Sequence, residues 1–162
     1  MKQLIRDIQN RLKTEIPALA YVEMNCGQLN KADNLPATVA FPAALIDIVK
    51  AEYSNEGKLR QIGTIEIGIS VIDHSDFDDQ NAQNNLFDRL TEINRALHGW
   101  SGSDHYGLLN KTSLEQIKRE DDLLEYRIIF RVQLVDTSAE RRTIMTSATM
   151  GIIHSNLSGV KS

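Results

Sequence analysis

Apolar and polar positions alternate along this chain with two periods, and the switches between them divide it into elements. Leu4, Ile5, Ile8 and Leu12 recur at helical spacing, with Lys2, Arg6, Asp7, Asn10 and Lys13 elsewhere on the wheel. This predicts an N-terminal amphipathic helix, which Pro17 ends because proline there cannot continue the ladder. Residues 20–24 read as a short strand, 27–34 as a polar loop and 37–41 as extended, with Pro42 marking an edge position or a bulge. Ala44, Ile46 and Ile48 then alternate with Leu45, Asp47 and Val49, so a strand resumes. Residues 50–60 are charged and contain Ser54-Asn55-Glu56-Gly57, which predicts an exposed hairpin loop.

The second half is more sharply patterned. Ile65, Ile67, Ile69 and Val71 oppose Thr64, Glu66, Gly68 and Ser70, the period of a half-buried antiparallel strand. Gly63 and Gly68 within it mark a bulge or a close approach. Ala82, Leu86, Leu90, Ile93 and Leu97 form one helical stripe, led by Asp76, Asp78 and Asp79 and closed by Gly99. Residues 101–106 form a polar loop and 108–119 have extended character. Leu124, Tyr126, Ile128, Phe130, Val132 and Leu134 then alternate strictly, with Glu125, Arg127, Arg131 and Gln133 pointing the other way, which predicts a strand pairing with the segment before it as a long hairpin.

One apolar face per strand and one stripe per helix predict two layers. The fold class is α+β: a mostly antiparallel sheet of about four to five strands with two helices packed on one face. Residues 1–136 make the single domain. Residues 137–162 are rich in Ser and Thr, with Ile144, Met145, Met150, Ile152 and Ile153 scattered among them. They form a tail or an arm that orders on a partner.

Composition narrows the chemistry. The chain has 162 residues with 18 basic and 22 acidic side chains, a formal charge of −4. Arg141, Arg142 and Lys161 against Glu140 give the tail +2, which leaves −6 on the body. An acidic body disfavours a nucleic-acid coat, which would need Arg127, Arg131, Arg141 and Arg142 to gather on one face. No run is long and apolar enough to span a bilayer, and the N-terminus lacks a signal-peptide core. The single cysteine, Cys26, cannot form an internal disulfide and reads as a structural thiol of an intracellular protein.

No catalytic, metal or cofactor motif emerges. The cluster at residues 73–79 lacks the ligand offsets of a calcium loop and suits a helix-capping loop. His74, His98, His105 and His154 show no zinc-site spacing, although His98, Asp104 and His105 would converge if their loop folded back. Gly102-Ser103-Asp104 does not complete a nucleophile elbow. Trp100, the only tryptophan, is either a core plug or an interface anchor. The expectation is a protein that is no enzyme and takes no cofactor. A small enzyme or ligand-binding domain with a site of ordinary residues is the alternative.

The order of elements carries a resemblance. A strand ending Val71-Ile72-Asp73 precedes the helix containing Asn84-Asn85-Leu86-Phe87-Asp88-Arg89-Leu90. A long hairpin then ends in Tyr126-Arg127-Ile128-Ile129-Phe130-Arg131-Val132-Gln133-Leu134-Val135-Asp136. In pattern and length, residues 1–136 resemble the tail terminator (tail-completion, minor tail protein) family of long-tailed bacteriophages and prophages. The segment after Asp136 and the loop at 27–34 have no counterpart. The resemblance implies a structural virion protein that caps the tail tube as a hexameric ring and docks to the head-completion protein. It also implies assembly in the host cytoplasm, residence in the virion tail, and DNA only as a passenger through the ring. It carries no catalytic residues. Trp100, Ile144, Met145, Met150, Ile152 and Ile153 are the candidate interface residues.

Overall fold

The computed structural model describes residues 1–29, 39–57, 59–74, 80–119 and 122–138. Helix α1 spans Lys2–Glu15 and buries Leu4, Ile5, Ile8 and Leu12. It is followed by strands β1 (Tyr21–Met24), β2 (Ala43–Asn55) and β3 (Gln61–His74). Helix α2 (Gln80–Leu97) comes next, then β4 (Asn110–Ile117) and β5 (Leu123–Asp136). The sheet order is β1-β2-β3-β5-β4. Only β1 and β2 run parallel; every other pairing is antiparallel. The expected α+β class and mostly antiparallel five-stranded sheet are therefore present.

Both helices cover one face of this sheet. Their buried stripes join Val22, Ala44, Ile46, Ile65, Ile67, Ile69, Val71, Ile128, Phe130, Val132 and Leu134 in one core. Along α2 the predicted stripe is confirmed at Leu86, Leu90, Ile93 and Leu97, while the Ala82 side chain lies outside the described ones. Gly99 adopts φ 74°, the left-handed conformation that a side chain disfavours, and so closes the helix as expected.

Two expectations need correction. Residues 39–42 are not strand: β2 begins at Ala43, just after the cis Phe41–Pro42 peptide, and residues 37–38 lie outside the described residues. The predicted loop at 50–60 is mostly strand, since β2 continues to Asn55 and pairs residue by residue with β3. The tight connection is only residues 56–60, where Glu56 N–H donates to the Arg60 carbonyl at 3.0 Å. The apolar period vanishes there because both sides of β2 face solvent, so no burial imposes alternation.

The second face of the sheet is different again. Ala43, Leu45, Ser70, Ile72 and Glu125 are buried on it, at the end near β1. Beyond them lies a band of paired charges.

Candidate assembly surface

A sheet bonds to a neighbour along its edges, so the state of each edge decides what this fold can do. On the β2 side, β1 occupies the edge from Ala43 to Ile46, and the Asn25 N–H extends that contact to the Ile46 carbonyl at 2.9 Å. From residue 48 to 55 no described strand lies on the outer side of β2, and all eight residues are exposed. Ile48, Val49 and Tyr53 are each about two-fifths exposed. Lys50 and Glu52 meet at 2.8 Å between them. That hydrogen bond and charge pairing raise the Lys50 pKa and lower that of Glu52, so both stay ionised on an edge where charge discourages indiscriminate pairing.

The β4 edge at the far end is partly guarded. The Gly99 N–H donates to the Leu109 carbonyl at 2.8 Å, and Leu109 N–H donates to the Trp100 carbonyl at 2.9 Å. Lys111 N–H donates to Nδ1 of His98 at 3.1 Å. The chain just after α2 therefore covers the outer edge up to Lys111. From Thr112 to Ile117 no described strand covers it, and Leu114 is 45% exposed.

Between the edges, Arg127 ties the sheet together across its second face. Its Nε donates to Ser70 Oγ at 3.2 Å, and its guanidinium lies 3.7 Å from Asp47 on β2 and 3.9 Å from Glu115 on β4. Reaching β2 from β5 means crossing β3, and Gly68 permits it. A Cβ there would lie 2.9 Å from Val49 Cγ2 and 3.1 Å from Arg127 Cδ. Of the two readings for this glycine, close approach is the one found; the bulge sits opposite, between Ile48 and Lys50. Arg119 holds the buried Glu125 at 2.8 Å, and Arg131 holds Glu66 at 2.8 Å. Arg127 and Arg131 are thus engaged with carboxylates, which argues against a DNA-coating role for this face; Arg141 and Arg142 lie outside the described residues.

The residues singled out by sequence fall in separate places. Trp100 is half-buried against the core, with the Arg11 guanidinium 5.5 Å above its ring, so it is both plug and surface. It borders a shallow groove of about 260 Å³ with Asp7, Asn10, Thr14 and Glu15. Ile144, Met145, Met150, Ile152 and Ile153 lie outside the described residues, as do residues 75–79 of the acidic loop. Histidine convergence is not found: His98 binds the β4 edge, whereas Asp104 and His105 line a groove against Ile62, Gln133 and Val135. Among the described residues no three of His, Cys, Asp and Glu gather at a metal-binding distance. Cys26 is exposed in a turn where Gly27 N–H donates to Asn25 Oδ1 at 3.0 Å. No described helix is long and apolar enough to cross a membrane.

One polar contact in the core was not foreseen. Tyr106 is buried, donates its hydroxyl to Asp7 Oδ2 at 2.9 Å and accepts from Gly102 N–H at 3.1 Å. Burial first, then the Asp7 carboxylate, pushes its phenol well above the ordinary tyrosine range. Tyr106 also bridges to Leu134, so the loop after α2 is pinned to both α1 and β5.

No family model matches the chain, and no curated protein matches it in sequence. Among solved structures, it is similar to a chain of the "Virion of native gene transfer agent (GTA) particle". The TM-score is 0.56 at 15% identity, covering 82% of this chain and 95% of that one. At that identity the likeness is one of fold.

Proposed function

We propose that this chain is a structural protein of a phage-like virion, and within it a tail terminator. The observation that carries the reading is the fold shared with nearly the whole of a chain from a gene transfer agent virion. The element order that resembles the tail terminator family supports the finer assignment. So do two stretches of edge, at opposite ends of one sheet, that no described strand covers, since unlike patches on one subunit build head-to-tail assemblies that close into rings. In this role the protein caps the tail tube as a hexameric ring and meets the head-completion protein on the other side, working by shape and contact rather than catalysis. It assembles in the host cytoplasm and ends in the virion tail, with DNA passing through the ring. Trp100 and the apolar residues of the segment 137–162 serve as contacts, the latter as an arm ordering on a neighbour.

The test is sedimentation and electron microscopy of the full chain over a wide concentration range, with mass spectrometry of purified particles from the producing host. A closed ring, and the chain present among tail proteins, is the expected result. A monomer at every concentration together with absence from particles would overturn the reading.

A further inference from the structure

The two open edges fit one another. We infer that residues 48–52 of β2 in one copy pair antiparallel with residues 113–116 of β4 in a second copy, with Ala51 opposite Leu114. This rests on the ring-forming role proposed above and names the contact that would build the ring.

Direction comes first. β2 runs antiparallel to β3, β3 to β5, and β5 to β4. β4 of one copy laid beside β2 of the next therefore continues the same alternation.

Register follows from what blocks each edge. β1 occupies β2 up to Ile46, and the chain after α2 occupies β4 back to Lys111. Sidedness allows only steps of two residues, because a single-residue slip sends side chains to the wrong face. Ala51 and Leu114 both lie on the helix side, opposite Ile65 and Ile128. Lys50, Glu52, Ser113 and Glu115 lie on the Arg127 side, where they pair with Glu66, Thr64, Ile129 and Arg127. Counting the bulge at Val49, placing Ala51 against Leu114 seats Gln116 at Ile48 and brings Ile117 level with Asp47, just clear of β1. It sets Lys50 against Glu115, an opposite-charge cross-strand pair, and Ala51 against an exposed leucine. Sliding two residues one way drives Ile117 onto Leu45, where β1 already sits. Sliding two the other way sets Glu52 against Glu115, a like-charge pair. One register meets all three conditions.

The same register supplies a stagger. Ala51 is level with Ile65 of β3, whereas Leu114 is level, through Ile128, with Ile69. Four residues at about 3.4 Å each give roughly 14 Å along the strands, over a repeat of four strands (β2, β3, β5, β4) about 19 Å wide. Copies joined this way incline their strands by about 35° to the ring axis, at the lower end of the roughly 35–45° of closed sheets.

Cysteine cross-linking tests this directly. The full chain carries Ala51→Cys and Leu114→Cys in a Cys26→Ser background, and is oxidised at concentrations where the parent assembles. Directly opposed residues lie about 4.5–5.5 Å apart at Cα, within disulfide range. A ladder of covalent multimers is expected from the double variant, with neither single variant going beyond a dimer. If the parent forms rings but the double variant gives no ladder, this pairing is wrong while the ring-forming role stands. If the parent forms no assembly under any condition, both fall.

Discussion

The two halves of β2 are one strand in two environments. From Ala43 to Ile46 every residue is buried, flanked by β1 and β3 and covered by the helical layer on one face. From residue 48 to 55 every residue is exposed, although the pairing with β3 continues unbroken past the bulge. Backbone bonds are the same in kind on both sides of Asp47; what changes is the burial of side chains. The lower half thus belongs to the stability of the monomer, and the upper half presents backbone donors and acceptors to whatever lies beside it. The difference separates what holds the fold together from what the fold is for. It also predicts that substitutions in the two regions act on different measurements.

The largest effect on stability belongs to the covered half. Phe130 on β5 is fully buried beneath the helices and is level with Ile67 of β3. Phe130→Ala removes its packing and leaves a cavity that the sheet and helices cannot both close, at a cost of about 3–5 kcal/mol. Chemical denaturation of the monomer reads this. A loss below about 1 kcal/mol would mean the helices do not pack on that face as described.

A middle-sized effect comes from Tyr106, where the covered core meets the guarded edge. Its hydroxyl donates to Asp7, so Tyr106→Phe is expected to cost about 1–2 kcal/mol at neutral pH. The pH dependence has a definite sign. The folded phenol has a raised pKa, while the unfolded one titrates near the ordinary value of about 10. The contribution is therefore whole below about pH 10 and is lost as pH rises from there through the folded value. Tyr106→Phe should flatten this alkaline decline. Parallel stability curves for the two proteins between about pH 9 and 11 would show that Tyr106 is not the titrating group.

What could be read from the sequence divides along the same line. β3 and β5 were legible because the face under the helices is apolar and the other face is mostly polar, which prints a period of two. The α2 stripe was legible for the corresponding reason. Residues 50–55 of β2 read as loop because a strand exposed on both sides has no burial to impose a pattern. Lys50, Glu52 and Glu56 look like loop residues whether or not the backbone is paired. The candidate surface was harder still. An edge is defined by the absence of a neighbour, and that depends on where β1 stops and on His98 capping β4, neither of which leaves a local signature. Trp100 was visible as a single large aromatic, but its two roles separate only once Arg11 is seen over its ring.

The smallest effect on the monomer should accompany the largest effect on assembly. Ala51 lies on the open half of β2, exposed and level with Ile65, with no described strand on its outer side. Ala51→Glu removes no buried group and crowds none in the isolated chain. Its effect on monomer stability should stay within about 0.5 kcal/mol, as for most surface substitutions. In the paired edges the new carboxylate would lie opposite Leu114 of the second copy. A charge placed against an apolar group is costly at an interface that must exclude water. Sedimentation should therefore show the ring lost or shifted to at least tenfold higher concentration, while the denaturation midpoint barely moves. If the variant assembles like the parent, the open half of β2 is not the contact. If instead it unfolds, the upper half of β2 belongs to the core, and the contrast between the two halves is wrong.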